Sequence, residues 1–410
     1  MATHTEIRQI IDFGDEAVFD ALAYPTIVIA TKRSKPISAN DATNDVWALN
    51  WDSSNENYHV SDFPDVFAAE RFAVPQCELK PGGWQLERPV KRRLLERLGK
   101  KSNSLRQFVG KRVCRGITTG FNDAFVMSLE EYERLISCDP KSKKIVSPYV
   151  RGKDVSRWTT PKSTQFLIRI ESSENKTHPW SGLSSNEAEE LFSTLYPGVY
   201  AFMLPHKQAL IDRYDQGHYF WELRACKYWD DFLEIKILST KVSLAPTFCL
   251  DTSGSYLGNT SYFLAAERSP LFVLGILNSV VSGFIARNVF AGKQGGYYEV
   301  QPEKLESFPI PDATNSQIVV IECIVKAITV GISRPEYERL LNGLVYELFF
   351  PEDLHVKNIR LFDTCAVAGI REGMDAQAVA TKIFRNNHPI YGMLFDLPSL
   401  DVVRIIEGLA

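Results

Sequence analysis

The chain has 410 residues, enough for two or three domains, and its 45% hydrophobic and 23% charged content is ordinary for a globular protein. The longest apolar runs, such as Leu271–Leu277 and Ile318–Val320, fall far short of a membrane span, and no basic-then-apolar signal peptide opens the chain, so membrane and secretory classes are set aside. A net charge of −4 excludes a uniformly basic nucleic-acid binder, and seven cysteines without a C-x-x-C pair point to reduced thiols in a cytoplasmic protein rather than a disulfide framework or a zinc site.

Residues 1–34 read as two strands, Ile7–Phe13 and Thr26–Ala30, with a short helix or loop over Glu16–Leu22 between them. On its own this is the edge of any α/β domain. Residues 35–109 read as a connector. It holds a short strand at Val46–Leu49, a turn at Ser53–Asn57, a helical start at Asp65–Phe72 and a Pro- and Gly-rich stretch, Phe72–Trp84. Pro89–Gly99 is predicted as a helix, with proline in its first turn, Leu94, Leu95 and Leu98 on one face and glycine as the stop. Ser104–Val109 is a shorter one. Glu87–Arg115 carries eleven Lys/Arg, among them Arg92, Arg93, Arg97, Lys111, Arg112 and Arg115, against two acids, a local charge of +9. Such a stripe fits a phosphate backbone; a solvated helix face produces the same pattern.

Residues 110–311 begin with Arg115-Gly116-Ile117-Thr118-Thr119-Gly120, whose glycines permit positive φ and close approach of the backbone to another molecule. Together with Asn122 and the basic loop holding Lys143 and Lys144, this is one way to grip nucleic acid, although plain turns look alike. Strands are expected at Asp123–Met127, Gln165–Ile170, Lys236–Ser243, Thr247–Asp251 and Ser261–Leu264. Helices are expected at Glu130–Cys138, Asn186–Tyr196, His206–Tyr214 and Leu271–Arg287. The mixture makes the fold class α+β. Cations and aromatics interleave around Arg157, Arg213 and Trp221–Trp229, including Arg224, which suits phosphate contact and groove wedging as well as ordinary packing. Asp231, Glu234 and Lys236 could be weighed as a metal-dependent nuclease set, but the two acids are too close together for the usual arrangement. Residues 312–410 are expected to be mostly helical: Asn315–Val330 and Arg334–Phe349 form a hairpin, and Ala366–Arg385 and Ser399–Leu409 follow.

Six blocks in one order resemble a known family. Arg115-Gly116-Ile117-Thr118-Thr119-Gly120 with Asn122, then Ile145–Trp158, open the series. Arg224 through Lys236-Ile237, Gly258–Leu264, Leu274–Ser279, and Gly295-Gly296 with Leu305–Pro311 follow. Together they resemble the TaqI-like C-terminal specificity domain that follows the catalytic domain in many adenine-N6 DNA methyltransferases and fused restriction–modification enzymes. Ile10–Ile29 is similar to the last strands of the methyltransferase fold, so residues 1–34 are expected to be a remnant of that α/β sheet, and Val345–Leu348 to belong to a helical end beside the specificity domain.

The resemblance implies a chain that recognises double-stranded DNA. Phosphate contacts are expected from Lys91–Arg115 and the Lys141–Lys144 loop. Base-edge readout is expected from Arg115, Thr118, Thr119 and Asn122, and from the loops near Arg157 and Arg224. The family's methyl transfer needs a glycine-rich donor site and an Asn/Asp-Pro-Pro-Tyr/Phe loop that holds a flipped adenine. This sequence has no Pro-Pro dipeptide and no upstream glycine cluster. The chain is therefore expected to hold no cofactor and to work with a separate methyltransferase or restriction subunit that binds S-adenosylmethionine. Two other readings stay open: a catalytic adenine methyltransferase in its own right, and an interaction module that mimics a specificity domain.

Overall fold

The computed structural model describes residues 3–14, 16–19, 25–38, 42–52, 55, 58–79, 84, 86–100, 102–159, 162–331, 334–385 and 387–409. Residues 20–22 of the expected Glu16–Leu22 connection, most of the expected turn at Ser53–Asn57 and all of Pro81–Gly83 lie outside them. The contacts divide the chain into two units, Met1–Lys101 with Gly292–Tyr297, and Ser102–Ala291 with Tyr298–Ala410. The fold is α+β.

The first unit is built on a four-stranded mixed sheet. Thr26–Lys32 lies at one edge, antiparallel to Thr5–Asp12. Asp45–Asn50 runs parallel to Thr5–Asp12, and Phe72–Pro75 closes the far side antiparallel. Alternation assigns the two faces. Ile10, Val46, Ala48 and Val74 form one buried cluster, while Ile11, Phe13, Leu49 and Trp51 form another with Phe67 of helix Phe63–Glu70. Gln76 ties the sheet together, because its side chain accepts from the Ile7 N–H at 2.8 Å and donates to the Thr5 carbonyl at 2.8 Å. Residues 1–34 are thus half of a sheet that the expected connector completes. The strand Phe72–Pro75 stands where only a loop was expected, since four residues carry too little alternation to be read. Helix Pro89–Lys100 forms as its leucine spacing requires, with Leu94 and Leu98 buried.

The second unit holds two four-stranded sheets. In one, the order is Phe248–Asp251, Lys236–Thr240, Ser261–Ala265, Val113–Arg115, all antiparallel. The other orders Tyr256–Leu257, Val146–Val150, Gln165–Ile168 and Val126–Ser128. Two expectations change here. Asp123–Met127 is not a strand: Asn122–Phe125 makes one helical turn and only Val126–Ser128 is extended. Leu271–Arg287 is not one helix. It divides into Pro270–Leu277 and Val280–Val289, bent by 62°, because Asn278 and Ser279 spend their side chains at the break. Asn278 pairs with both backbone groups of Phe248 (3.0 and 2.9 Å), and the Ser279 hydroxyl accepts from the Ser282 N–H. Among the described residues no single helix is long and apolar enough to cross a membrane.

The helical region packs on the first of these sheets. Helix Pro270–Leu277 is buried nearly all round and meets Asn315–Thr329 and Arg334–Phe349 at Gly275, where a Cβ would press on Val325 and Ile321. Ala366–Arg385 resolves into Leu361–Val367 and Ala376–Ile383, and the last helix is Asp401–Glu407.

Candidate nucleic-acid interface

Two stretches of the second unit, distant in sequence, meet at an open cleft of about 970 Å³. One wall is Arg106–Thr118. Its strand Val113–Arg115 hangs on Ser261–Ala265, and its next two residues hang on the neighbouring backbone: the Ile117 N–H reaches the Leu257 carbonyl at 2.6 Å. Gly116 is obligatory there, because a Cβ would overlap the Gly258 carbonyl. The glycine turn therefore serves close approach to this chain's own backbone, not to another molecule. The opposite wall is Arg224–Tyr228, an irregular stretch between the Leu223 N–H, held by Ile170 at 2.8 Å, and buried Trp229. Tyr228 joins the walls by donating its hydroxyl to the Arg115 carbonyl at 3.1 Å.

The cleft is cationic. Arg106, Lys111, Arg112, Arg115, Arg224 and Lys227 line it, against Asp231 and Glu303. Three of the six are already engaged: Arg106 with Glu306 at 3.0 Å, Lys111 with Asp231 and Glu234 at 3.0 and 3.2 Å, and Arg224 with Asp215 at 2.9 Å. The hydrogen bonds that Lys111 donates to Asp231 and Glu234 hold its ammonium above its usual range, so it stays charged. Arg112, Arg115 and Lys227 are exposed and carry no ion pair among the described residues; Arg115 spends its Nε on the Asn259 carbonyl at 3.1 Å. Burial pushes the Cys114 thiol up to about 12 and the Tyr228 hydroxyl to about 12, so both remain protonated and neither is a nucleophile near neutral pH.

The structure brings Lys111, Arg112, Arg115, Thr118 and Arg224 to this one cleft. It places the other expected site residues elsewhere. Arg92, Arg93 and Arg97 belong to helix Pro89–Lys100 of the first unit, where Arg92 pairs with Glu78. The expected basic stripe is thus divided between two units. Thr119 is buried and donates its hydroxyl to Asn122 at 2.6 Å, so the two residues fix their own turn rather than offering both side chains outward. Lys143 and Lys144 are exposed on the turn Pro140–Ile145, outside the cleft. Arg157, expected near the base edges, is placed outside the cleft residues and is engaged within the chain. It pairs with Glu338, donates to the Asn278 carbonyl at 2.8 Å and lies over Trp158.

The carboxylates weighed for a nuclease are likewise occupied. Asp231 and Glu234 hold Lys111, while Lys236 is fully buried against Asp251 at 2.7 Å and donates to the Phe232 carbonyl at 2.6 Å. Among the described residues no group of three or more His, Cys, Asp or Glu is placed to hold a metal ion. Sequence reasoning missed Glu222. It was grouped with the cations and aromatics around it, yet it is fully buried and accepts from Trp180, Ser173, His218 and Tyr219. A lone carboxylate inside the apolar run Phe220–Leu223 was the available signal.

Comparison with known proteins bears on this region. Residues 147–310 match the model of the TaqI-like C-terminal specificity domain. The type II methyltransferase M.MjaIV of Methanocaldococcus jannaschii is 26% identical over 230 residues, which are 52% of this chain and 69% of that protein. Among solved structures, the type IIL restriction-modification enzyme MmeI in complex with DNA aligns with 96% of this chain at 13% identity and a TM-score of 0.47. The type IIG restriction endonuclease BpuSI aligns with 84% at 11% identity and a TM-score of 0.35. This chain spans 46% and 44% of those two proteins. Residues 147–310, which include the Lys236–Asp251 pair and the Asn278 break described above, are thus the part of the chain that is similar to the TaqI-like C-terminal specificity domain.

Proposed function

We propose that the chain is the DNA-recognition part of an adenine-N6 restriction–modification system. It holds duplex DNA at the cleft while a separate domain or subunit, with S-adenosylmethionine as donor, transfers the methyl group. The observation that carries this reading is the convergence of six cations from two distant segments on one open cleft. Arg112, Arg115 and Lys227 supply positive charge that no carboxylate of the described chain neutralises, which is what a phosphate backbone requires. Arg115 and Thr118, on the same wall, are the groups assigned to base edges, where arginine on guanine discriminates by roughly 1–3 kcal/mol.

Duplex binding measured across a salt series tests the proposal. Affinity should fall steeply with salt, and replacing Arg112 and Lys227 together by Ala should lower the log–log slope by about two and weaken all sequences alike. Both side chains are exposed, so the unfolding midpoint should stay within about 0.5 kcal/mol of wild type. An unchanged slope in the double variant, or no duplex affinity at low salt, would overturn the reading.

The likeness to M.MjaIV favours a second reading, in which this chain itself belongs to a methyl-transferring enzyme. Titration of the purified chain with S-adenosylmethionine separates the two. Stoichiometric binding displaced by the demethylated product would move the chemistry onto this polypeptide.

A further inference from the structure

Tyr214 stands out on the surface of the second unit. Its side chain is 98% exposed, more than any other large hydrophobic residue among those described. Single exposed apolar side chains are ordinary. This one differs because its backbone is fixed on both sides. The preceding residue, Arg213, is buried: its guanidinium donates to the carbonyls of Thr119, Phe220 and Glu222 and lies 4.5 Å from the Phe125 ring centroid. Burial lowers the affinity of that guanidinium for its proton only to about 10, so it remains a cation holding three carbonyls. The following residue, Asp215, accepts from Arg224 at 2.9 Å. The Gly120 turn closes the third side, since a Cβ there would lie 3.0 Å from the Asp215 carbonyl oxygen.

These anchors tie Tyr214 to the cleft. Arg224 lines one wall, and Thr118, next to the Thr119 carbonyl that Arg213 holds, lines the other. A ring with only two side-chain torsions, carried on a clamped backbone next to the Asp215–Arg224 pair, loses little conformational freedom on contact. Aromatic side chains in that setting stack on bases, or wedge into base steps that bending has opened.

We propose that Tyr214 is a stacking residue whose ring packs on a base of the duplex held at the cleft, at a step that binding opens. The inference rests on the cleft binding duplex DNA. The ring supplies the contact and the hydroxyl does not, so phenylalanine serves equally well.

The test compares a fully paired short duplex with the same duplex carrying one mismatch, in which a step is already loosened, by fluorescence anisotropy at fixed salt. Wild-type protein should bind the mismatched duplex about tenfold more tightly. Tyr214→Ala should bind the two duplexes nearly equally and each more weakly than wild type does, and Tyr214→Phe should restore both the affinity and the preference. Full exposure of the side chain means that Tyr214→Ala folds as wild type does, and an unchanged unfolding midpoint checks this. A preference that survives in Tyr214→Ala, or is missing from the wild type, overturns the inference. If wild type binds duplex DNA and loses it on Arg112→Ala with Lys227→Ala while Tyr214 has no effect, only the stacking role falls. If wild type binds no duplex, the cleft assignment falls first and the stacking role with it.

Discussion

Two regions of the second unit use polar side chains in opposite ways. In the framework, Arg151 clamps Asp154 with its Nε at 2.9 Å, Arg157 fastens to Glu338, Lys236 neutralises Asp251 in a fully buried pair, and Asn278 mimics a backbone partner for Phe248. At the cleft, Arg112, Arg115 and Lys227 point to solvent with no carboxylate partner among the described residues. Both kinds of residue fall in the recognisable blocks, Arg115 and Lys227 at the cleft as well as Arg151, Arg157, Lys236 and Asn278 in the framework. A resemblance built on motifs thus does not separate what holds the fold from what faces outward, and the candidate contact surface has to be found from charges left uncompensated.

The comparison breaks if framework changes alter binding more than stability. The largest effect is expected from Lys236→Ala. It leaves Asp251 charged and buried, with only Ser253 and Ser255 donating to it, and should cost roughly 3–5 kcal/mol in urea unfolding. Duplex affinity per folded molecule should not change. Asn278→Ala comes next. The Phe248 N–H loses its Asn278 acceptor inside the core and the Phe248 carbonyl keeps only the Trp158 N–H, which should cost about 1–3 kcal/mol by the same measurement.

The smallest effect concerns pH. The hydrogen bond from Arg151 holds the Asp154 carboxyl below its usual range, ahead of the opposing effect of burial. Its contribution is present above the unfolded value of about 3.9 and is lost as pH falls through the lower folded value. The pair is partly exposed, so about 0.5 kcal/mol is at stake. The unfolding midpoint of wild type should exceed that of Asp154→Asn at neutral pH, and the two should converge as pH drops below about 3.9. Convergence on raising the pH instead would reverse the assigned sign.

The sequence was legible wherever a local rule decided the outcome. The leucine spacing of Pro89–Lys100 needed no tertiary information, and the short helix expected at Ser104–Val109 forms as Leu105–Val109. The hairpin Asn315–Thr329 and Arg334–Phe349 was equally plain. Failure came where long-range partners decided. Val113–Arg115 is extended only because Tyr262–Leu264 pairs with it. Helix Leu271–Arg287 looked continuous because Asn278 and Ser279 interrupt the apolar pattern by two residues only, while their hydrogen bonds lie with Phe248 and Ser282. At the site, composition could not separate free from committed cations. The carboxylates on Arg106, Lys111, Arg157 and Arg224 arrive from Glu306, Asp231, Glu338 and Asp215, and nothing local announces them.

The wall Arg224–Tyr228 has no regular secondary structure, yet it starts and finishes at fixed posts, the Leu223 amide on Ile170 and the buried Trp229 ring. Arg224, Ala225 and Lys227 face outward between those posts and contribute nothing to the apolar interior. Ala225 and Lys227 can therefore vary while the scaffold stays intact, whereas Arg224 is tied to Asp215; on the proposed duplex-binding reading, this short span is where a descendant protein changes the wall facing its ligand without refolding.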